Sequence, residues 1–271
     1  MITYNLLDKY KEIAHFCTSR EGGVSVGNYA SFNLSPFSGE NPDNFSENKK
    51  ILADSLGIGL NKIIIPYQTH GTEIREINET FLQLNSEQKE AFLSGVDALI
   101  TKLSSICIGI TTADCVPILF FDPVKKVIAA AHAGWRGTCG KIAEKTILTL
   151  IEKHDCKPSD ILVTIGPSIS PEVYEVGKEL VKNFENAGFD ISEVFCTKNN
   201  SIYLDLWKAN EQLLLKNGIL QQNVVVAGIC TYSEHEKFFS ARRLGLKSGR
   251  MLSGIMLVDV SAFNCSKRFD A

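Results

Sequence analysis

VPILFFDPVKKVIAAAHAGW, residues 116–135, consists of two apolar runs joined by the polar turn DPVKK. A strand with one wet face would alternate apolar and polar residues, and neither run does. Both therefore read as strands of a central hairpin buried on both faces. Such a hairpin needs further layers, and the flanking sequence offers them in mixed order. VDALIT (96–101) and SICIGITTADC (105–115) read as strands before it, and DILVTIG (160–166) and NVVVAGI (223–229) as strands after it.

Helical patterns lie between these strands. FSENKKILADSLG (45–57) predicts a helix capped by Asn44 or Ser46 and ended by Gly57. NKIIIPYQTHG (61–71) is a strand ending in a polar turn, and EQKEAFLSG (87–95) is a short helical or turn segment. GTCGKIAEKTILTLIEKHD (137–155) predicts one long helix, with Lys153 and His154 suited to its C-terminal dipole. PEVYEVGKELVKNFENAG (171–188) and DLWKANEQLLLKNG (205–218) predict two more. Residues 16–44, rich in Gly, Ser and Asn, read as turns and short strands. Helices and strands mix without a regular βαβ beat, so the pattern predicts a mixed α/β fold in a single domain over residues 1–271.

Composition removes several classes. The 271 residues are 44% apolar and 22% charged, enough for a sizeable core. A net charge of -3, from 28 basic and 31 acidic residues, argues against a polybasic nucleic-acid or membrane-surface protein. No apolar run approaches the roughly 18 residues of a membrane span. The opening MITYNLLDKYKEIAHF carries Asp8 and Glu12 and has no basic, then apolar, leader pattern, so a cytoplasmic address is expected. Eight cysteines stand singly, at 17, 107, 115, 139, 156, 196, 230 and 265, with no C-x-x-C pair. That spacing excludes zinc ribbons and thioredoxin-type motifs, and most of these thiols are expected to be buried small hydrophobes.

Three segments place metal-competent residues at the ends of apolar strands: QTHG (68–71), TADC (112–115) and HAGWRG (132–137). A hairpin turning at 123–124 sets Cys115 opposite His132, at a cross-strand Cβ separation of about 4.5–5.5 Å. With His70 from another strand end, the three offer one thiolate and two imidazoles, leaving a tetrahedral ion one open position. The competing reading of each histidine is a hydrogen-bonded core residue, and spacing alone leaves both open.

TADCVPILFFDP followed by AAAHAGWRGT resembles the YfiH-like family, also called the laccase-domain or purine nucleoside phosphorylase family. FCTSREGGVS, FNLS, ENKKIL, QTHG, GVDALIT, GPSISPEVYEV, ICTY and FFSARR match its pattern in order, from about residue 15 to about residue 250. The resemblance implies layered mixed β-sheets with flanking helices and a zinc site of His70, Cys115 and His132. It also implies phosphorolysis of adenosine, inosine, guanosine or S-methyl-5'-thioadenosine, together with deamination of adenosine to inosine. The expected partners are thus purine nucleosides and phosphate, taken by a monomer or small homo-oligomer.

Cys115 and His132 would then be catalytic as well as ligating, with Asp114 as an acid/base or supporting group. A strand-end carboxylate capping backbone amides is the equal alternative for Asp114. Phosphate needs cations, and Arg20 and Arg136 sit best by motif, with Arg242, Arg243 and Arg250 as a second basic group. Asn33, Tyr174 and Glu175 are matched positions for a nucleoside pocket. Arginines in turns are, however, commonly solvated surface. Zinc-bound water acidified toward neutrality could attack a purine at C6, although the H-x-E…P-C-x-x-C deaminase pattern is absent.

Three rivals are carried forward. A four-copper laccase needs many imidazoles, and five histidines with no His-x-His pair do not supply them, although one Cu could take the Cys-His-His site. A cysteine amidase or hydrolase could use Cys115 as nucleophile and His132 as base, which fits the cell-wall precursor-editing role linked to bacterial members. A binding protein with a purely structural metal is the third.

Overall fold

The structure is a computed structural model and describes residues 1–259. Its strands in chain order are β1 Ile13–Cys17, β2 Ile63–Ile64, β3 Glu73–Glu76, β4 Val96–Thr101, β5 Cys107–Thr112, β6 Val116–Asp122 and β7 Val127–Ala133. They are followed by β8 Leu162–Ile165, β9 Glu175–Val176, β10 Phe195–Lys198, β11 Ser201–Leu204, β12 Val224–Val226 and β13 Met251–Leu257. Three sheets result, ordered β12-β8-β6-β7-β4-β3, β1-β13-β5-β2 and β10-β11-β9.

The hairpin of β6 and β7 forms the centre of the six-stranded sheet, and every residue in both strands is buried. Alternation sorts its side chains into two cores. Ile118, Phe120, Ala129 and Ala131 face the helices Ile142–His154 and Leu206–Lys216. Leu119, Phe121, Ile128 and Ala130 face Ile108, Ile110 and Ile255 of the four-stranded sheet. The far side of that sheet packs on the helix Pro42–Leu56 through Leu52, Ala53 and Leu56. The order of layers is helix, sheet, sheet, helix: layered mixed sheets with flanking helices. No helix among the described residues is long and apolar enough to cross a membrane.

Five details depart from the expectations above. The hairpin pairs Val116 with Ala133 and Pro117 with His132, so the turn spans 123–126 and the residue opposite His132 lies two positions beyond Cys115. The Asp122 carboxylate causes this by accepting the backbone N–H of Val124 and Lys125, both at 2.8 Å, which stabilises a longer turn. The segment 137–155 is two helices, Trp135–Cys139 and Ile142–His154, broken at Lys141 in the left-handed region (φ 64°). Within 171–188, Glu175–Val176 pairs as an edge strand with Ile202 and Tyr203, so the helix begins only at Lys178. The helix at 42–56 starts with Pro42 and is capped by Asn41, whose side chain accepts the Asp43 N–H. Among the cysteines, 17, 107 and 156 are buried, 115, 139 and 230 half-buried and 196 exposed, so burial is less general than expected. Cys265 lies outside the described residues.

Candidate metal centre

Two of the three motifs are crossovers between the sheets. The chain passes from β2 to β3 through QTHG, and from β5 to β6 through TADC. Because β2 and β5 are parallel neighbours, the crossovers leave the four-stranded sheet side by side. The Gln68 amide ties them together: its Nε2 donates to the Thr111 carbonyl at 2.9 Å, and its Oε1 accepts the Thr111 N–H at 2.7 Å. β7 ends where β6 begins, so HAGW leaves the sheet at the same edge.

One carboxylate organises this edge. Asp97 on β4 is fully buried and accepts backbone N–H groups from Thr69 (3.2 Å), His70 (3.0 Å) and Gly71 (2.7 Å). Its Oδ1 also lies 2.7 Å from His132 Nδ1 on the neighbouring strand. A carboxylate only accepts, so Nδ1 carries a proton and Nε2 is the ring nitrogen turned toward Cys115, the one a metal ion would bind on displacing its proton. Burial pushes the Asp97 carboxyl up, but the His132 hydrogen bond and charge and the Gly71 and Thr69 amides outweigh it, holding the group below its ordinary value. The same amide bonds hold His70 in the left-handed region (φ 62°), which a non-glycine residue rarely adopts.

The ligand atoms of His70, Cys115 and His132 all lie within 4.8 Å of one another. The two imidazoles meet edge to face, their centroids 4.8 Å apart. Gly134 has to be small: a Cβ there would lie 2.9 Å from Cys115 Sγ and 3.2 Å from His70 Cδ2. Burial pushes the Cys115 thiol up, yet the charge and hydrogen bond of His132, then those of His70, bring it down to about 6. Burial pushes His132 down, while the Cys115 charge and the Asp97 hydrogen bond raise it to about 9. Thiolate and imidazolium thus stabilise each other. One soft thiolate and two imidazoles, one oriented by a carboxylate, form a donor set that could hold a metal ion.

The trio faces a cavity of about 750 Å³ lined by all three side chains. Phe37 and Tyr67 form an edge-to-face pair at 4.8 Å on its wall, each nearly half exposed. Tyr174, Arg242 and Arg250 line another part. Asp114 also lines the cavity, but its carboxylate already accepts from Thr231 Oγ1 (2.8 Å), Ser240 Oγ (3.0 Å) and the Arg242 N–H (2.7 Å).

The other residues singled out from sequence lie outside the lining. Arg20 donates to the carbonyls of Ala30 and His235 and stacks on Phe239. Asn33 is fully buried, donating to Ser38 and Glu40 and accepting the Arg250 N–H. Arg136 is exposed over the Trp135 ring, and Arg243 donates to the Tyr232 carbonyl. The Glu175 side chain accepts from Ser201 Oγ. Sequence reasoning missed Asp97. Its one signal was an acidic residue inside the otherwise apolar VDALIT, which burial obliges to find donors.

The family model described as multi-copper polyphenol oxidoreductase laccase matches residues 14–258. A purine nucleoside phosphorylase from Bacteroides thetaiotaomicron is 43% identical over 95% of this chain and 96% of its own. Adenosine deaminase RL5, from an unknown prokaryotic organism, is 38% identical over 94% of this chain and 99% of its own. The crystal structure of the Bacillus licheniformis hypothetical protein YfiH superposes with a TM-score of 0.87 at 30% identity, covering 94% of this chain and all of that one.

Proposed function

The chain belongs to the multi-copper polyphenol oxidoreductase laccase family, and from that premise we propose that it is a zinc-dependent purine nucleoside enzyme. It splits adenosine, inosine, guanosine and S-methyl-5'-thioadenosine with phosphate, and it deaminates adenosine to inosine. The observation that carries this reading is the His70–Cys115–His132 trio opening on a cavity of about 750 Å³, a size suited to a small polar ligand. The names of the two relatives, a nucleoside phosphorylase and an adenosine deaminase, supply the substrate class.

His70, Cys115 and His132 would hold the ion, which when bound supplies Lewis acidity to the open side of the cavity. Asp97 keeps the proton of His132 on Nδ1, so that Nε2 points to the ligand position with no adjustment during turnover. Gln68 fixes the two crossovers to each other, and with them the spacing of His70 and Cys115. The Phe37–Tyr67 pair offers apolar surface to a flat base. Asp114 holds the segment carrying Ser240 and Arg242 against the cavity, which makes it a positioning residue.

The test is adenosine incubated with and without phosphate, with metal per chain measured on the same protein. Adenine and ribose 1-phosphate that appear only with phosphate, inosine in both arms, and about one zinc per chain are expected. A second reading rests on Cys115 itself, held to about 6 beside His132, which suits a hydrolase nucleophile. Metal-free active protein with an alkylatable Cys115 would favour it. A four-copper centre has no support: the chain has five histidines, and the described residues hold a single cluster of metal-competent side chains.

A further inference from the structure

Phosphorolysis needs an anion beside the nucleoside, and the cations of this chain are distributed unevenly with respect to the cavity. Among the described residues, Arg242 and Arg250 are the arginines that line it, and no lysine does. They differ in what their guanidinium groups already do. Arg250 donates Nη1 to Ser248 O, Ser248 Oγ and Gly249 O, and Nη2 to Leu246 O. Its donors hold its own loop, so it contributes charge more than contacts.

Arg242 is the opposite case. Its guanidinium lies 5.2 Å from the Tyr174 ring centroid and has one acceptor, the Glu175 carbonyl, at 3.2 and 3.3 Å. An arginine has five N–H donors, so most of this fork is uncommitted. Its base is nevertheless fixed, since the Arg242 backbone N–H binds Asp114 and Asp114 is adjacent to Cys115. Tyr174, which Arg242 covers, lines the cavity together with the three metal-competent residues.

We propose that Arg242 binds the phosphate co-substrate and thereby sets how turnover divides between phosphorolysis and deamination at one centre. The proposal rests on the purine nucleoside reading above. In phosphorolysis a hydrogen phosphate oxygen forms a bond to C1′ as the glycosidic C–N bond breaks. The electron pair of that bond leaves on the purine nitrogen, which takes the phosphate proton, giving free base and ribose 1-phosphate. In deamination water adds its oxygen to C6, the C6–N bond breaks and ammonia leaves. The first reaction brings a dianion into the cavity and the second does not, so a bidentate guanidinium there favours only the first.

The experiment uses the metal-loaded protein, with Arg242→Met, Arg242→Lys and, as a charge control on the neighbouring loop, Lys247→Met. Ribose 1-phosphate formation gives the KM for phosphate, the inosine-to-adenine ratio gives the partition, and calorimetric titration with inorganic phosphate gives binding apart from turnover. Arg242→Met is expected to raise the phosphate KM and Kd by about 10–100-fold, as loss of a charged hydrogen-bond partner does. It should raise the inosine-to-adenine ratio at least about tenfold, with Arg242→Lys in between and Lys247→Met unchanged. An unchanged phosphate KM in Arg242→Met, or the same loss in Arg243→Met instead, would overturn the assignment while leaving the nucleoside reading intact. Wild-type protein that forms no adenine from adenosine and phosphate would overturn both.

Discussion

Asp97 and Asp114 are alike in kind and placement: both are buried, and both accept hydrogen bonds at the edge where the crossovers meet. They differ in what they hold. Asp97 grips three consecutive amides around His70 and the Nδ1 of His132, so two of the three metal-competent side chains hang on one carboxylate. Asp114 grips Thr231, Ser240 and the Arg242 amide, and so anchors the segment that forms the cationic wall of the cavity. One end of the site is thus built to set the geometry of His70 and His132, and the other to hold Arg242, the residue proposed to take the phosphate. A buried carboxylate acts through the group at the far end of its hydrogen bonds, and its proximity to the chemistry in sequence does not reveal which group that is.

The strongest way to break this division is at the ligands. His70→Ala, Cys115→Ala and His132→Ala should each lose metal and both activities together, by more than the 10–100-fold typical of an outer partner. Metal analysis beside the adenosine assay checks it, and a ligand variant that keeps metal would remove that residue from the trio. Asp97→Asn comes next, with metal affinity falling about 10–100-fold because Asn cannot replace an anionic acceptor for His132 Nδ1. Chelator competition measures this. Asp114→Asn should lower stability by about 1–3 kcal/mol and raise the KM for phosphate, while weakening metal binding less than Asp97→Asn. Equal metal loss in the two variants would erase the distinction between the ends.

The smallest effect concerns reactivity. In metal-stripped protein, Cys115 should react with an alkylating reagent with a midpoint near pH 6, reached from below as the thiolate forms. Cys107, fully buried in β5 with its thiol pushed up to about 12 mainly by burial, should stay inert over the same range. Restored metal should protect Cys115. A Cys115 midpoint near an ordinary thiol value would show that the imidazoles do not stabilise the thiolate.

Much of this was legible in the residues. The unbroken apolar runs of 116–121 and 127–131 identified the doubly covered hairpin, and both strands are buried throughout. The three motifs carrying the trio stood out because polar side chains interrupt such runs. The register did not, because the Asp122 side chain lengthens the turn and no strand pattern records that. Asp97 lay hidden in VDALIT because its partners come from residues 69–71 and 132, which the β2–β3 crossover and the pairing of β4 with β7 bring near. The arginines were harder still. Motif membership ranked Arg20 and Arg136 above the group of Arg242, Arg243 and Arg250, yet backbone carbonyls or an aromatic ring outside the cavity occupy Arg20 and Arg136, and Arg242 and Arg250 are the ones that line it.

The central claim is that one ion on His70, Cys115 and His132 supports the chemistry of the cavity. The most direct test removes metal from the purified protein, then titrates zinc back while following adenosine turnover with and without phosphate. Adenine and inosine formation should both fall with the metal and return together, saturating at about one equivalent per chain. Full turnover of adenosine by protein free of metal would contradict it.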